Sequence, residues 1–255
     1  MQPAIKDTDF VGGFAKGLKV IEAFDAAKPK LTITDAARLA GLDRATARRC
    51  LLTLAALGYA DYDGKFFTLT PRVLRLGHAW LLATPLPALI QPHLDRLSET
   101  VGESASASVL DGGDIVYIAR AAKKRVMSIT LVPGSRLPAW CASMGRVLLA
   151  ALGEEERRTR LAESRLEAFT PFTRAEPAEL AAEIARVGQR GYAVIDQELE
   201  LGLCSIAVPV LNAAGKVVAA INIGVSALQV PAAELAPRFL PALLATQAEL
   251  RPLLR

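Results

Sequence analysis

Apolar residues recur at three- and four-residue spacing over two short adjoining stretches, and the rest of the chain reads outward from them. In the first, Ala36, Ala37, Leu39 and Ala40 follow Thr34, a hydroxyl N-cap, and Asp35, whose charge suits the first turn of a helix. Gly41 follows as a left-handed stop. In the second, Asp43 caps a helix to residue 57 whose core stripe is Ala47, Cys50, Leu51, Leu54 and Leu57, closed by Gly58. An earlier helix, residues 14–27, carries Phe14, Gly17, Leu18, Ile21 and Phe24 on one face, predicted to pack beneath this pair. A short extended piece, 29–33, leads in. Residues 59–62 and 65–69 flank Asp63-Gly64 as a β-hairpin with Lys65 at its tip.

Beyond the hairpin the period changes. Pro71 suits a first helical turn, and a helix over 71–83 carries Val73, Leu76, Trp80 and Leu81, an apolar set expected to be covered at a protomer interface. A helix at 87–101 follows, then strands at 104–111, 115–121 and 126–132 and a rigid loop at 133–138. Helices are predicted at 139–152, 154–162 and 177–191. Strands at 192–196, 203–211 and 217–225 precede a closing helix at 231–254. The predicted fold class is α+β: a winged helix-turn-helix domain at 1–70, a linker helix at 71–83, and an α/β domain with an antiparallel sheet at 84–255.

The second helix of the pair gives this outline its chemistry. At 1.5 Å per residue it is about 22 Å long, enough to lie along a major groove. Arg48, Arg49 and Thr53 point away from the core stripe, and Arg44 and Thr46 flank its N-terminal end. Arginine can take two acceptors on guanine or hold a phosphate, and a threonine hydroxyl can bond either. A solvated arginine face on an ordinary helical hairpin accounts equally well for these residues alone. The β-hairpin tips the balance toward a winged helix, with Lys65 set to meet phosphate. Charge agrees: residues 14–78 hold 11 Lys/Arg against 6 Asp/Glu, in a chain whose total is only +4.

Composition excludes several classes. At 52% hydrophobic and 22% charged residues the chain buries real cores. Cys50, Cys141 and Cys204 are odd in number and far apart, and no signal peptide is seen, so a reducing cytoplasm is expected. No membrane span, metal spacing or phosphate-cradling glycine motif is present. An enzyme is the competing reading: Asp196, Glu198 and Glu200 alternate along an extended segment and could share a face for acid–base work. The two histidines, His78 and His93, sit in no nucleophile motif.

The order of elements, with several motifs, resembles the IclR family of bacterial transcriptional regulators, from Phe14 to about Val225. Its markers are Ala15-Lys16-Gly17-Leu18-Lys19-Val20-Ile21, the helix pair followed by Leu57-Gly58-Tyr59, Gly134-Ser135-Arg136-Leu137-Pro138, Ser143-Met144-Gly145-Arg146 and Arg190-Gly191-Tyr192. The most specific is the run from Asp196 to Leu203 followed by Ile206-Ala207-Val208-Pro209-Val210. Arg49-Cys50-Leu51-Leu52-Thr53-Leu54 and Leu74-Arg75-Leu76-Gly77-His78-Ala79 look closer still to the branch regulating β-ketoadipate-pathway and hydroxybenzoate catabolism.

The resemblance implies a C-terminal effector-binding domain and homodimers, or dimers of dimers, on double-stranded palindromic operators. With the helix pair and hairpin read as a winged helix, the expected DNA-binding set is Thr34, Arg44, Thr46, Arg48, Arg49, Thr53 and Lys65. It also implies an effector site at Leu137, Trp140, Ser143, Met144, Asp196, Ser205, Asn222 and Gly224. That set suits a small organic acid, aromatic or dicarboxylic. Leu137, Trp140 and Met144 would form an apolar wall, and Ser143, Ser205 and Asn222 would donate hydrogen bonds. The start of the 139–152 helix would favour an anion. Trp140 stands where many family members carry a smaller or histidine side chain, which removes a possible metal ligand; no cofactor is expected.

Overall fold

The computed structural model describes residues 6–25, 28–77, 85–123 and 131–254. The chain divides into two compact units, Met1–Ala83 and Thr84–Arg255. In the first, helices α1 (Gly12–Glu22), α2 (Ile33–Ala40) and α3 (Arg44–Ala56) accompany a small sheet of β1 (Lys30–Leu31), β2 (Ala60–Tyr62) and β3 (Phe67–Leu69), ordered β1-β3-β2. The extended lead-in is therefore a strand of the wing. Leu31 pairs with Phe67, and both are wholly buried with Val20, Ala36 and Leu51.

Local chemistry sets the turns. Gly41 ends α2 at φ 64°, a conformation glycine adopts without strain. Asp43 caps α3 by accepting from the Thr46 amide at 2.8 Å, which holds its carboxyl below the usual carboxylate range. The cap of α2 is Thr32 rather than Thr34. Its hydroxyl accepts from the Asp35 amide while the Asp35 carboxylate accepts from the Thr32 amide. This reciprocal pair needs the acid three residues after the cap, which selects Thr32 and places Thr34 exposed within the first turn.

Two expected core faces differ. Leu57 follows the last turn of α3 and is 54% exposed. On α1 the fully buried residue is Val20, with Ile21 and Phe24 packed partly against it, while Phe14 and Leu18 are exposed. The inward face is thus turned toward Val20, about one residue round the helix from the predicted stripe. Pro71–Val73 forms a 3-10 turn and residues 74–77 are helical. The rest of the expected linker helix, with His78, Trp80 and Leu81, lies outside the described residues, as does most of the strand expected at 126–132.

The second unit is built on a six-stranded antiparallel sheet ordered β6-β5-β4-β9-β8-β7. Its strands are β4 (Ser104–Asp111), β5 (Asp114–Ala121), β6 (Arg136–Pro138), β7 (Ala193–Asp196), β8 (Leu203–Leu211) and β9 (Val217–Ser226). Helices α4 (Leu86–Val101) and α8 (Ala232–Leu250) share one apolar core with the sheet. Helices α5 (Ser143–Ala150) and α7 (Pro177–Arg190) share another, with α6 (Glu154–Glu163) beside them. The alternation along β4 decides what each face receives. Ala105 and Ala107 enter the α4–α8 core, so Ser104, Ser106 and Ser108 turn to the opposite face.

Near this serine face the chain departs from expectation twice. The loop expected at 133–138 ends in β6, which pairs with β5. The helix expected at 139–152 is broken: Ala139–Cys141 is a 3-10 turn, Ala142 is extended at φ −109°, ψ 140°, and α5 starts at Ser143. The cause is a close approach. A Cβ on Gly145 would overlap the backbone of Ala139, so the turn folds back onto the helix instead of continuing it.

Candidate functional site

On the first unit, Arg44, Arg48, Arg49 and Thr53 are exposed on α3, Thr34 on α2, and Lys65 beside the wing turn. The three arginines have no acidic partner among the described residues, leaving their charge available to phosphates or base edges. The Lys65 and Phe66 amides donate to Asp63 Oδ1 at 2.9 and 2.7 Å, which fixes the tip. Thr46 is placed differently from the others. It is 7% exposed, and its hydroxyl accepts from Arg49 Nη2 at 3.4 Å. It sits where it steadies Arg49.

On the second unit, the serine face and α5 line a partly open cavity of about 40 Å³. Six of the eight predicted effector residues line it: Leu137, Ser143, Met144, Ser205, Asn222 and Gly224. Trp140 and Asp196 do not. Trp140 is 1% exposed and stacks on Phe169, ring centroids 5.9 Å apart. Asp196 is exposed at the end of β7 and accepts from the Cys204 thiol at 3.1 Å.

The wall also holds residues absent from the predicted set, chiefly Arg120, Tyr117, Ser104 and Ser106. Strand register explains their convergence. Ser106 on β4 lies opposite Arg120 on β5 and opposite Asn222 on β9, so the three form one row across the sheet. In the next row Ser104 pairs with Gly224, which pairs with Ser205. Arg120 Nη1 donates to Ser106 Oγ at 2.9 Å, and Ser205 Oγ donates to Ser143 Oγ at 2.9 Å. From α4, Gln91 exchanges hydrogen bonds with both the amide and the carbonyl of Arg120, pinning its backbone.

Arg120 is the one cationic side chain among the described residues of the wall. Burial pulls its pKa down and Tyr117 partly opposes that, but a guanidinium starts so high that it stays charged. Burial pushes the Tyr117 phenol up to about 12, so it stays protonated. The signal for Arg120 in the sequence is an arginine inside an otherwise apolar strand, beside a strand with serine at every second position.

Glu198, one of the paired carboxylates of the enzyme reading, is already committed. It accepts from Arg146 Nη1 and Nη2 at 2.7 and 2.6 Å, with the two side chains 5% and 1% exposed. Asp196 faces solvent instead. The two carboxylates do not share a face, which removes the basis for acid–base work between them.

A basic winged helix-turn-helix together with a domain whose cavity combines apolar side chains with serines and an arginine defines a transcriptional regulator with DNA-binding and ligand-binding parts. The chain belongs to the IclR family: residues 14–64 match the IclR helix-turn-helix domain and residues 78–250 match the bacterial transcriptional regulator IclR C-terminal domain. It is 47% identical over 245 residues to the Pca regulon regulatory protein of Pseudomonas putida, covering 96% of this chain and 84% of that one. It is 37% identical to the p-hydroxybenzoate hydroxylase transcriptional activator of Acinetobacter baylyi, covering 98% and 94%. Among solved structures it is similar to an IclR homolog from Microbacterium hydrocarbonoxydans complexed with 4-hydroxybenzoate. The TM-score is 0.76 at 25% identity, covering 94% and 99%. The family and these relatives regulate transcription and are not enzymes.

Proposed function

We propose that the chain is a cytoplasmic one-component regulator of aromatic-catabolism genes. It binds a palindromic operator as a homodimer or dimer of dimers and responds to a small organic acid. Residues 1–70 bind DNA, 71–83 link, and 84–255 sense the effector. The names of the relatives support the choice of genes. Among the described residues no helix is long and apolar enough to cross a membrane. Effector binding alters the spacing of the two winged domains, which requires the acid to favour one of two conformations.

The observation that carries the effector reading is Arg120, a partly buried guanidinium on the cavity wall, where it can hold an anion. Ser106 and the start of α5 at Ser143 add donors, Leu137 and Met144 form the apolar wall, and Trp140 and Asp196 act only through their neighbours. The cavity is small, so a ring or six-carbon chain enters by moving flexible wall side chains such as Met144 and Leu199. In calorimetry with the full chain, 4-hydroxybenzoate or 3-oxoadipate is expected to bind. Arg120→Leu is expected to raise the Kd about 10- to 100-fold, the scale of a lost hydrogen bond to a charged group. An unchanged Kd removes Arg120 from the site.

For DNA, Arg44, Arg48 and Arg49 supply base and phosphate contacts, while Thr34, Thr53 and Lys65 contact the backbone and Thr46 orients Arg49. Arg49→Ala is expected to weaken specific operator binding in a gel shift by about 1–3 kcal/mol and to relax sequence preference. Unaltered affinity and preference count against its role.

A further inference from the structure

We infer that the groove between α6 and α7 is a second ligand site, one that takes a carboxylic acid with a long apolar tail. It shares no wall residue with the cavity on the serine face, and the inference is independent of what that cavity binds. The groove has a volume of about 660 Å³, within the range of small-molecule pockets, against about 40 Å³ for the cavity. Apolar side chains form its floor. Leu180 of α7 is wholly buried there. Leu161 of α6 and Leu166 beyond it pack against the same core as Leu180 while staying partly exposed. An apolar chain laid along them removes that remaining surface from water, which is favourable in proportion to the area covered.

Charge gives the ligand its head group. Arg157, half-buried, and Arg158, exposed, both line the groove. Other arginines of this segment are paired, Arg160 with Glu156 and Arg165 with Glu167. Arg157 and Arg158 have no acidic partner among the described residues. Glu154 also lines the groove but forms an ion pair with neither, so two guanidiniums stand against one carboxylate and positive charge is in excess. A guanidinium can take both oxygens of a carboxylate, and the aliphatic stem of an arginine can cover apolar surface. Free cations beside an apolar floor therefore match an acid head and an apolar tail in one molecule. A fatty acid or an arylalkyl acid has that chemistry.

Calorimetry on the full chain with decanoate and decanol tests this. Decanoate is expected to bind saturably, and decanol, which keeps the tail but lacks the charge, about tenfold or more weakly, the scale of a lost hydrogen bond to a charged group. Arg157→Gln combined with Arg158→Gln is expected to weaken decanoate by at least about tenfold and to leave decanol unchanged. Ala181 lines the groove and is exposed, so Ala181→Trp fills the space and is expected to abolish binding of both. Arg238→Gln removes an exposed cation on α8, far along the chain from the groove, and is expected to change nothing. Absence of saturable decanoate binding overturns the inference, and so does decanol binding as tightly as decanoate. Decanoate binding that survives the arginine pair or Ala181→Trp lies elsewhere and overturns it too, as does an equal loss in Arg238→Gln, which would mark a general response to net charge. If Ala181→Trp does not fold, the arginine variant and the decanoate-to-decanol ratio decide.

Discussion

Glu198→Gln is expected to destabilise the second unit by about 3–5 kcal/mol, the cost of leaving one partner of a buried ion pair uncompensated. In a domain of this size that lowers the melting temperature by about 10 °C. The geometry explains the size of the effect. Arg146 spends Nη1 and Nη2 on the carboxylate of Glu198 and Nε on the Trp140 carbonyl at 2.9 Å. Glu198 Oε2 also accepts from the Arg174 amide at 3.0 Å, and its carbonyl accepts from Thr173 Oγ1 at 2.6 Å. The pair thus ties α5, the turn before it, and the 170–174 segment to the loop after β7. The amide side chain would keep the shape but leave the guanidinium buried without its neutralising charge. Replacing both residues, as Arg146→Met with Glu198→Leu, is expected to recover most of the loss, because the desolvation cost of both charges goes with them. Thermal unfolding of the three proteins checks this. A loss under about 1 kcal/mol for Glu198→Gln would mean the pair is solvated.

Gly145→Ala is expected to cost about 3 kcal/mol, the upper end of what overpacking a core entails. The glycine has no positive φ to protect. What it protects is space, since its missing Cβ would lie inside the backbone of Ala139. Adding that carbon must push the 139–141 turn away from α5. The Trp140 carbonyl would then leave Arg146, and Cys141 and Ser143 would shift in the cavity wall. Urea unfolding followed by Trp140 fluorescence, with effector titration of the folded variant, measures both consequences. A variant as stable as the parent would show that the turn can move freely.

These two residues also mark where sequence reading stops. Elements bounded by near neighbours are legible. Gly41 and Asp43 delimit α2 and α3 through turn and capping chemistry acting within three residues. The hairpin at Asp63-Gly64 joins the paired strands β2 and β3. Errors arise where two caps compete for one acid or where the chain folds back on itself. Thr32 outcompetes Thr34 because Asp35 can reach back to only one of them. The helix expected from Ala139 begins at Ser143 because Gly145 admits a turn that no local propensity requires.

The cavity follows the same division. A serine and an asparagine inside apolar strands are conspicuous, since buried polar groups need partners, and Ser205 and Asn222 both reach the wall, as does Ser143 at the start of α5. Trp140 looks like a ligand wall by size, but the break before α5 turns it toward Phe169. Arg120 shows in the sequence as a charge within an apolar run, but only the pairing of β5 with β4 brings it beside Ser106.

The serine row on β4 has a last consequence. On one face of β4 Ala105 and Ala107 enter an apolar core, but on the other its serines border a cavity. On the proposed reading an acid bound there would complete the interior, and its affinity would add to the folding equilibrium: about 2.7 kcal/mol when the metabolite stands at a hundred times its dissociation constant. Starved cells would hold the looser form, more open to proteolysis, and fed cells a sturdier one. The nutrient would set the regulator's lifetime as well as its grip on the promoter.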